Sequence, residues 1–600
     1  MNTVFADDYD FNAEDATDAL QKAIDDETAD KIIVENKGTP WIISEQIDLK
    51  DNKEIVFEEG VVVRAKSGSF LDNRSSLFSA RNVDNIKLIG QGEGENRATL
   101  RMNESEYVGS AAPNQFNHAI NLLGVDGYEV SGLTLTGAGG DGIHIAGGTF
   151  KTPPALDSDI LPYSEDGLIE NVISDGNRRQ GMSIDSAKNL VVRNSTFSNT
   201  EGVEPSAGID LEPTWDFESL QNVTIEDVTI DNNDGGGILV PIGTLDNESA
   251  PVSVNIRNVD FKNIVPGSPA IFITRKYFYD PTGRDPAEAP YVGVADSSLP
   301  SSMVDGTINV ENITISNAEA IANISNPDDN PRNYIFVEDI SGSQDDPNNL
   351  QVNFNNIEIN DPIDKSVNTA PIYIAGLPGE DKPSEIGNLS FNNVTIRGNY
   401  NFPVVFAQLG NDDARFNNIS GDITVFNSGD GAISSIDLKP PGENYSLTVT
   451  DGNTSVNPTT GSVELVNPNF KDGLSGWVVW SEDISIVERS NGNSWVKIDS
   501  SPTGGIAQDI TDKITPGEDY QISATAQLEE LGTYAAIGIN YKNEANELQE
   551  FQNIDVKSDT PQNIELGFTA PENFASAEIF AYKQEGSALF VDDFLLTEQV

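Results

Sequence analysis

The stretch TIEDVTIDNNDGGGILVPI, residues 224–242, holds two short segments of alternating apolar and polar residues, separated by a turn rich in Asn, Asp and Gly. In the second segment, Ile238 and Val240 would point to one side of an extended strand, with Leu239 and Pro241 on the other side. The stretch therefore predicts two short β-strands joined by a turn.

The first segment returns along the chain with an Asn or Asp at a fixed offset. It occurs as LIENVIS, VVRNSTF, TIEDVTI, NIRNVDF, NVENITI, NFNNIEI, SFNNVTI and RFNNIS, with the shared residue at Asn171, Asn194, Asp227, Asn258, Asn312, Asn356, Asn393 and Asn418. The shortest intervals are 23 and 25 residues, and loop insertions account for the longer ones. Such a period is typical of a coil stacked on itself, in which the Asn side chains can form a hydrogen-bonded ladder within a turn.

The second segment also returns once per coil. It occurs as GIHIAG, GMSIDS, GIDLEP, GILVPI, AIFITR, YIFVED, IYIAGL and VVFAQL, and its alternate aliphatic residues would fill the interior of the coil. The two repeating segments predict a right-handed parallel β-helix over residues 1–440. The earlier segment EDATDALQKAIDDE has apolar residues at helical spacing, which predicts an N-terminal capping helix over the open end of the β-helix.

The repeat ends near Leu438, and the chain then changes character. Residues 441–462 are rich in Pro, Gly, Ser and Thr and are interpreted as a linker or terminal strands. Residues 463–600 contain β-rich segments between turn signals, which predict a separate β-sandwich domain.

Composition excludes several classes of function. Asp and Glu number 96 against 35 Lys and Arg, a formal net charge of −61, which disfavours binding to nucleic acids and anionic membranes. The chain has no Cys and only two His, so Cys-ligated and His-rich metal sites are excluded, whereas a hard cation such as calcium remains open. No apolar run is long enough to insert into a membrane, and the first residues do not show a signal-peptide pattern. A secreted or extracellular location is expected nonetheless, with the leader not visible in this sequence.

Placing the second segments in register brings three carboxylates together on the outer face. His144, Ser183, Asp210, Leu239 and Phe272 form one outward column, and Asp185 and Glu212 fall in the next. Repulsion within this group would raise the pKa of one member beside an ionised partner, as glycoside cleavage requires. Catalytic roles are therefore assigned to Glu212 as acid and to Asp210, helped by Asp185, as base, with the two roles exchangeable. The separation of Asp210 and Glu212 is expected to lie near the inverting range of about 6.5–9.5 Å. A solvated acidic surface or a calcium site formed by the same side chains remain alternatives.

Other residues around this group predict substrate contacts. His144 lies in the same column, and Arg178 and Arg179 precede the segment GMSID. A long insertion after Thr274 carries cationic and aromatic side chains that could wall a cleft, because arginine pairs with acidic groups and aromatic rings stack on sugars. The predicted substrate-binding residues from this insertion are Arg275, Lys276, Tyr277 and Tyr279.

Residues 1–440 resemble the pectate-lyase-like superfamily of β-helix proteins, which includes hydrolases, lyases, epimerases and non-enzymatic adhesins. The polygalacturonase-like set NTD, DD, GHG and RIK is not present together, and the DPH motif of mannuronan epimerases is absent. No catalytic set is therefore carried over. The motif NRRQGMSI with the later AGIDLEP resembles a pairing in uncharacterised bacterial β-helix proteins, which implies a common site.

The C-terminal domain is similar to carbohydrate-binding modules of families 4, 9 and 22, on the motifs NPNF, GLSGW, ITPGEDYQISA and FVDDFLL. The resemblance implies a jelly roll that binds glycan chains on aromatic platforms, often with a structural calcium ion. It implies glycan-binding roles for Trp477, Trp480, Tyr534, Tyr541 and Tyr582, each with packing in the core as the alternative. Asp593 and Glu464 are the candidate calcium ligands.

The leading hypothesis is a polysaccharide-degrading glycoside hydrolase, with acidic polysaccharides among its candidate substrates and no cofactor required for hydrolysis. One alternative is a polysaccharide lyase or uronate C5-epimerase that uses calcium and Arg or Lys side chains. The other is a non-catalytic glycan-binding adhesin or spike. The sequence leaves open whether the protein is a monomer or a trimer.

Overall fold

The computed structural model describes most of the chain. Residues covered are 2–72, 74–107, 115–149, 160–245, 248–265, 268–274, 304–316, 334–338, 341–342, 350–364, 370–376, 385–399, 404–408, 415–427, 435–436, 446–451, 462–463, 465–470, 473–481, 483–488, 494–499, 503–559 and 561–599. Two compact units divide the chain, residues 1–451 and 452–600.

The N-terminal unit is a parallel β-helix, which confirms the predicted fold. Its 12-stranded sheet receives one short strand from each coil, and neighbouring strands run parallel. These strands are Ile47–Asp48, Phe78–Arg81, Ile120–Leu123, Asp141–Ala146, Gln180–Ile184, Ala207–Asp210, Gly236–Pro241, Ile271–Thr274, Ile335–Glu338, Ile372–Gly376, Val404–Gln408 and Ser435–Ile436.

The rest of each coil belongs to a 21-stranded sheet. Its strands are Thr3–Phe5, Lys31–Val34, Trp41–Ile43, Lys53–Phe57, Val62–Ala65, Asp84–Gly90, Thr99–Arg101, Asp126–Ser131, Thr134–Thr136, Ser164–Glu170, Ile173–Asp175, Ala187–Arg193, Thr196–Ser198, Leu220–Asp231, Val252–Lys262, Gly306–Ser316, Ser341–Gly342, Leu350–Asp364, Glu385–Asn399, Arg415–Asn427 and Ser446–Asp451. The last strand lies within the segment that sequence marks as linker or terminal strands, and it pairs with Arg415–Asn427.

The repeated Asn and Asp residues form a ladder at a bend in this sheet. Asn258, Asn312, Asn356 and Asn393 each donate a side-chain hydrogen bond to the equivalent residue of the preceding coil, at 2.8–3.0 Å. All four have positive φ, a conformation that Asn tolerates better than most residues. The ladder lies on the exposed surface of the bend. Asn418 is an exception, because it pairs with Asn388, which precedes the ladder position Asn393 in the chain.

The interior of the β-helix is one continuous apolar core, which includes the alternate aliphatic residues of both repeating segments. The predicted capping helix spans Thr17–Asp25 and buries Ala19, Leu20, Ala23 and Ile24 in this core. The other described helices are short: Glu104–Tyr107 is α-helical, and Ala6–Asp8, Gly94–Asn96 and Thr511–Lys513 are 3-10 turns.

The C-terminal unit is a β-sandwich, as predicted. One sheet has six strands, Ser462–Val463, Ile484–Glu488, Ser494–Ile498, Asp519–Leu528, Gln562–Thr569 and Leu589–Gln599. The other has five, Val478–Val479, Gly504–Asp509, Ala535–Lys542, Leu548–Asp555 and Ser576–Lys583. Both sheets are antiparallel, and their facing apolar side chains form a second core that is separate from that of the β-helix.

Candidate active site

The predicted carboxylate group lies on the outer face of the 12-stranded sheet. Ile143, Met182 and Ile209 point into the core, so the residues that follow them in each strand face outward. The register pairs His144 with Ser183 and Ser183 with Asp210. The same column continues through Leu239 and Phe272. The predicted outward column is therefore confirmed.

Glycines near the start of four neighbouring strands, Gly142, Gly181, Gly208 and Gly237, allow close packing between the coils that carry this group. A Cβ at Gly181 would lie 2.4 Å from the carbonyl oxygen of Gly208, and one at Gly142 would lie 2.1 Å from the hydroxyl of Ser174. Distances this short are steric clashes, so the GxxI repetition in the sequence has a packing cause.

Asp210 and Glu212 form a carboxyl–carboxylate pair. Gln180 donates to Oδ2 of Asp210 at 2.8 Å, and among the described residues no donor reaches Oδ1 of Asp210. Burial, followed by the charge of Glu212, raises the pKa of Asp210 well above its ordinary value. Burial also raises the pKa of Glu212, against the opposing charge of Arg179. Two neighbouring carboxyls with raised pKa values favour a single proton between them, and the expected gap of about 6.5–9.5 Å stays a prediction.

Arg179 is the cation at the centre of the group. Its Nη1 donates to Oδ2 of Asp141 at 3.2 Å, and its Nη2 donates to Oε2 of Glu212 at 3.3 Å. Burial opposes the charge, but the surrounding carboxylates outweigh it and raise the pKa of Arg179. Burial would likewise raise the pKa of Asp141, yet Arg179 and His118 lower it to about 2. Arg179 and Asp141 therefore form a buried ion pair under the outer face.

His144 contacts Asp185, a carboxylate of the second outward column. Its Nε2 lies 3.1 Å from Oδ2 of Asp185, and its Nδ1 lies 2.8 Å from Oδ1 of Asn121. Asp185 keeps 17% of its side-chain surface exposed, and Glu212 keeps 35%, whereas Asp210 is 1% exposed. Asp185 and Glu212 are thus the carboxylates that a ligand on this face can reach.

Glu218 adds a further buried carboxyl. Its Oε2 accepts backbone N–H groups of Thr214 at 2.5 Å and Trp215 at 3.0 Å. Burial, followed by the charge of Asp185, raises the pKa of Glu218 to about 8. This residue closes the turn that follows Glu212 and leaves a protonated acid beside the group at neutral pH.

The structure brings together most of the residues predicted for the site, namely Asp185, Asp210, Glu212, His144 and Arg179. Arg178 is not part of this group, because it interacts with Glu104 and packs against Gly202. The predicted contacts Arg275, Lys276, Tyr277 and Tyr279 lie outside the described residues.

Sequence reasoning missed Asp141, Gln180 and Glu218. Asp141 and Gln180 occupy one register position at the start of their strands, so the alignment that found the outward column contained a signal for both. Gln180 donates to Oδ2 of Asp210 at 2.8 Å, and Ser183 donates to Oδ2 of Asp141 at 2.5 Å. No sequence signal marks Glu218, because it reaches the group from a turn.

In the C-terminal unit, the five predicted aromatic residues divide into two sets. Trp477 and Tyr541 pack in the core at 7% and 1% exposure, so their assignment to a glycan-binding surface is corrected. Trp480 and Tyr534 are 40% exposed, and Tyr582 is half-buried. The ring of Trp480 lies over Gly505, and Asn553 donates to the hydroxyl of Tyr534 at 2.7 Å. These three remain candidates for stacking on sugars.

Candidate calcium ligands are only partly placed. Asp593 is exposed and its N–H donates to Oδ1 of Asp592, while Glu464 lies outside the described residues. Within the described ranges, no three Asp, Glu or His side chains are arranged to hold a metal ion. None of the helices in that part of the chain has the length and apolar character needed to span a bilayer.

Family models match both units of the chain. Residues 93–274 match the right-handed β-helix region, and residues 462–588 match a carbohydrate-binding domain. Comparison with curated proteins gives no significant match.

Solved structures of both kinds are similar to parts of the chain. The catalytic unit of a family GH87 α-1,3-glucanase from Streptomyces thermodiastaticus is 14% identical with a TM-score of 0.44, covering 75% of this chain and 68% of that one. A family 16 carbohydrate-binding module is 19% identical with a TM-score of 0.20, covering 22% of this chain and 97% of that one. The CBM22-1 xylan-binding domain from Paenibacillus barcinonensis is 12% identical with a TM-score of 0.19, covering 22% of this chain and 90% of that one. By its two family matches, the chain consists of a right-handed β-helix followed by a carbohydrate-binding domain of the CBM_4_9 type.

Proposed function

We propose that the protein is a secreted glycoside hydrolase that cleaves a polysaccharide on the outer face of its 12-stranded sheet. The observation that carries the proposal is the grouping of buried Asp210 with two partly exposed carboxylates, Glu212 and Asp185, on one outward face. A protonated acid next to an ionised partner is the combination that glycoside cleavage needs.

Exposure assigns the roles within the group. Glu212 is the member of the proton-sharing pair that a substrate can reach, so it acts as the general acid on the leaving oxygen. Buried Asp210 keeps this pair protonated at neutral pH, because ionising both carboxyls would place two charges in contact. Asp185 acts as the base that takes a proton from the attacking water. Hydrolysis then transfers one proton from Glu212 to the leaving sugar and one from water to Asp185.

Arg179 positions Glu212 and does not act as a base. It donates to both Asp141 and Glu212, and the surrounding carboxylates hold it in its charged form. An arginine with a raised pKa does not abstract the C5 proton of a uronate, which an elimination or epimerisation would require. The hydrolytic role of the group needs no cofactor.

A polysaccharide substrate agrees with two further observations. The family match over residues 462–588 is to a carbohydrate-binding domain. On the β-helix, the outward column continues beyond Asp210 into Leu239, Phe272 and Phe336. The phenyl rings of Phe272 and Phe336 stack with their centroids 4.9 Å apart. Apolar surface of this kind beside carboxylates suits the faces and hydroxyls of successive sugar rings.

Incubation of the protein with neutral, uronic and sulfated polysaccharides tests the proposal. Reducing ends and ultraviolet absorbance are followed together, with and without chelator. Hydrolysis gives reducing ends without absorbance, and we expect Glu212→Gln and Asp185→Asn to lower the rate by 100-fold or more. The matched control is Glu311→Gln, which changes an exposed carboxylate on the 21-stranded sheet and should leave the rate unchanged.

Two results would contradict the proposal. Calcium-dependent absorbance at new unsaturated ends would indicate a lyase. Binding to a polysaccharide without release of any product across the panel would indicate a glycan-binding adhesin.

A further inference from the structure

We infer that the two stacked histidines, His118 and His144, are held in opposite protonation states, with His144 a doubly protonated imidazolium that fixes Asp185 as a carboxylate. The inference concerns the protonation of the site. It deepens the proposed function, and its meaning for catalysis rests on that function.

The contacts of His144 require a proton on each ring nitrogen. Nδ1 faces the side-chain oxygen of Asn121 at 2.8 Å, and Nε2 faces Oδ2 of Asp185 at 3.1 Å. An amide oxygen and a carboxylate oxygen are both acceptors, so a neutral ring would leave one of the two contacts without a hydrogen. The ring is 7% exposed, and water has little access to replace the missing bond.

His118 lies against this ring but has different contacts. The two ring centroids are 4.6 Å apart at an angle of 22°. The backbone N–H of Asp141 lies 3.1 Å from Nδ1 of His118 and favours a lone pair there, although Oδ2 of Asp141 lies 3.2 Å from the same nitrogen and favours a proton. His118 is fully buried, and a second imidazolium stacked on the first would add repulsion between like charges. A neutral His118 ring, with one protonated nitrogen, satisfies both conditions.

The charged groups around the pair favour the same distribution. Burial and the neighbouring cations His144 and Arg179 lower the pKa of His118, although Asp141 opposes them. Burial also acts against protonation of His144, but Asp185 and then Asp141 outweigh it and raise its pKa, with Arg179 opposing. Asp185 pairs with His144 at 3.1 Å, whereas Asp141 pairs with both Arg179 and His118 at 3.2 Å.

The consequence for the site is that Asp185 and the pair Asp210 and Glu212 differ in protonation. The imidazolium at His144 stabilises the ionised form of Asp185, which is the form needed to accept a proton from water. At the same time, the proton-sharing pair of Asp210 and Glu212 has no histidine contact among the described residues and keeps its proton. His144 is thus a positioning residue that acts through Asp185.

Nuclear magnetic resonance of the full chain tests this directly, because the sequence contains only two histidines. Protein labelled with ¹⁵N-histidine is titrated from pH 4.5 to 9.5, and the ring nitrogens are followed without substrate. The variant His118→Gln assigns the two signals. At pH 7 we expect one ring with two protonated nitrogens, His144, and one ring with a single protonated nitrogen, His118.

A matched pair of variants separates the charge of Asp185 from its shape. Asp185→Asn keeps an acceptor oxygen but removes the charge, and we expect the titration midpoint of His144 to fall by about one pH unit or more. Glu311→Gln should shift neither histidine. If Asp185→Asn does not fold, the titration of the unmodified protein still decides the question.

Two neutral rings at pH 7, or a doubly charged ring at His118, would overturn the inference. Because no substrate is present, this outcome is independent of whether the protein hydrolyses a polysaccharide. A protein with the expected histidine states but no activity would refute the proposed function alone.

Discussion

Glu218 is a carboxyl group whose surroundings favour its neutral form. It is 2% exposed, lies near the charge of Asp185 and has a pKa raised to about 8. The two backbone N–H groups that it accepts, from Thr214 and Trp215, oppose this shift but do not cancel it. Its folded-state pKa therefore lies well above the ordinary value of about 4.5, and the folded protein binds one proton more than the unfolded chain between these two pH values.

Replacement of Glu218 by Gln should stabilise the protein at high pH only. Stability from the proton on Glu218 is complete at low pH and is lost as pH rises from about 4.5 to about 8, whereas Gln stays neutral and can still accept both N–H groups. We expect the variant to match the unmodified protein at pH 4.5 and to gain on the order of 2–4 kcal/mol at pH 8.5. Thermal unfolding at the two pH values measures this difference. An equal gain in stability at both pH values would show that the shape of the Gln side chain, and not the ionisation of Glu218, causes the gain.

Most of the site could be predicted from strand alternation because its residues stand on regular strands. His144, Asp185 and Asp210 follow from the period of two and the coil register. The contact of Glu212 with Arg179 could not be predicted in this way, because alternation fixes which face a residue occupies but not which neighbour its side chain reaches. Asp141 was overlooked because its role depends on how far Arg179 reaches across coils.

The Asn ladder is the element that keeps successive coils in register at the exposed bend. Asn312 donates to Asn258 at 3.0 Å and accepts from Asn356 at 2.9 Å, at a φ of 55°. The recurrence of Asn at one offset allowed both the fold and the ladder to be predicted from sequence. The register of the last coil was not predicted: Asn418 pairs with Asn388, and the pairing shifts only afterwards, between Phe391 and Val394.

Two substitutions at Asn312 should separate the ladder from the backbone conformation. Asn312→Gly loses both side-chain hydrogen bonds but adopts positive φ without cost, and we expect it to destabilise the β-helix by about 1 kcal/mol. Asn312→Ala loses the same bonds and also places a Cβ in the left-handed region, which adds about 1–2 kcal/mol. Chemical denaturation of both variants measures the difference. Equal effects would mean that the backbone at this bend relaxes away from the left-handed conformation.

At the scale of the whole molecule, the two units have separate cores and distinct surfaces for a glycan. On the C-terminal unit, Trp480 presents an exposed ring over Gly505, where no side chain intervenes. We expect Trp480→Ala to weaken binding of the full chain to insoluble polysaccharide about tenfold, or by about 1.4 kcal/mol, without changing hydrolysis of a short soluble oligosaccharide. A pull-down and a reducing-end assay measure the two effects.

The matched control for Trp480 is Leu595→Ala, since Leu595 is a similarly exposed apolar residue on the six-stranded sheet. Binding should be retained in this variant. Equal loss in both would indicate non-specific adsorption through apolar surface, and the five-stranded sheet would then have no special part in recognition.

The charge of the whole chain should make its stability depend on salt. A formal charge of −61 at pH 7 favours expansion through self-repulsion, which salt screens as the Debye length falls from about 10 Å at 0.1 M to about 3 Å at 1 M. We therefore expect the thermal midpoint at pH 7 to rise by several degrees between these NaCl concentrations. Near pH 4.1, the isoelectric point of the sequence, net repulsion vanishes and the same salt step should have little effect. A rise of equal size at both pH values would instead identify general strengthening of apolar burial by salt, which does not depend on the charge of the protein.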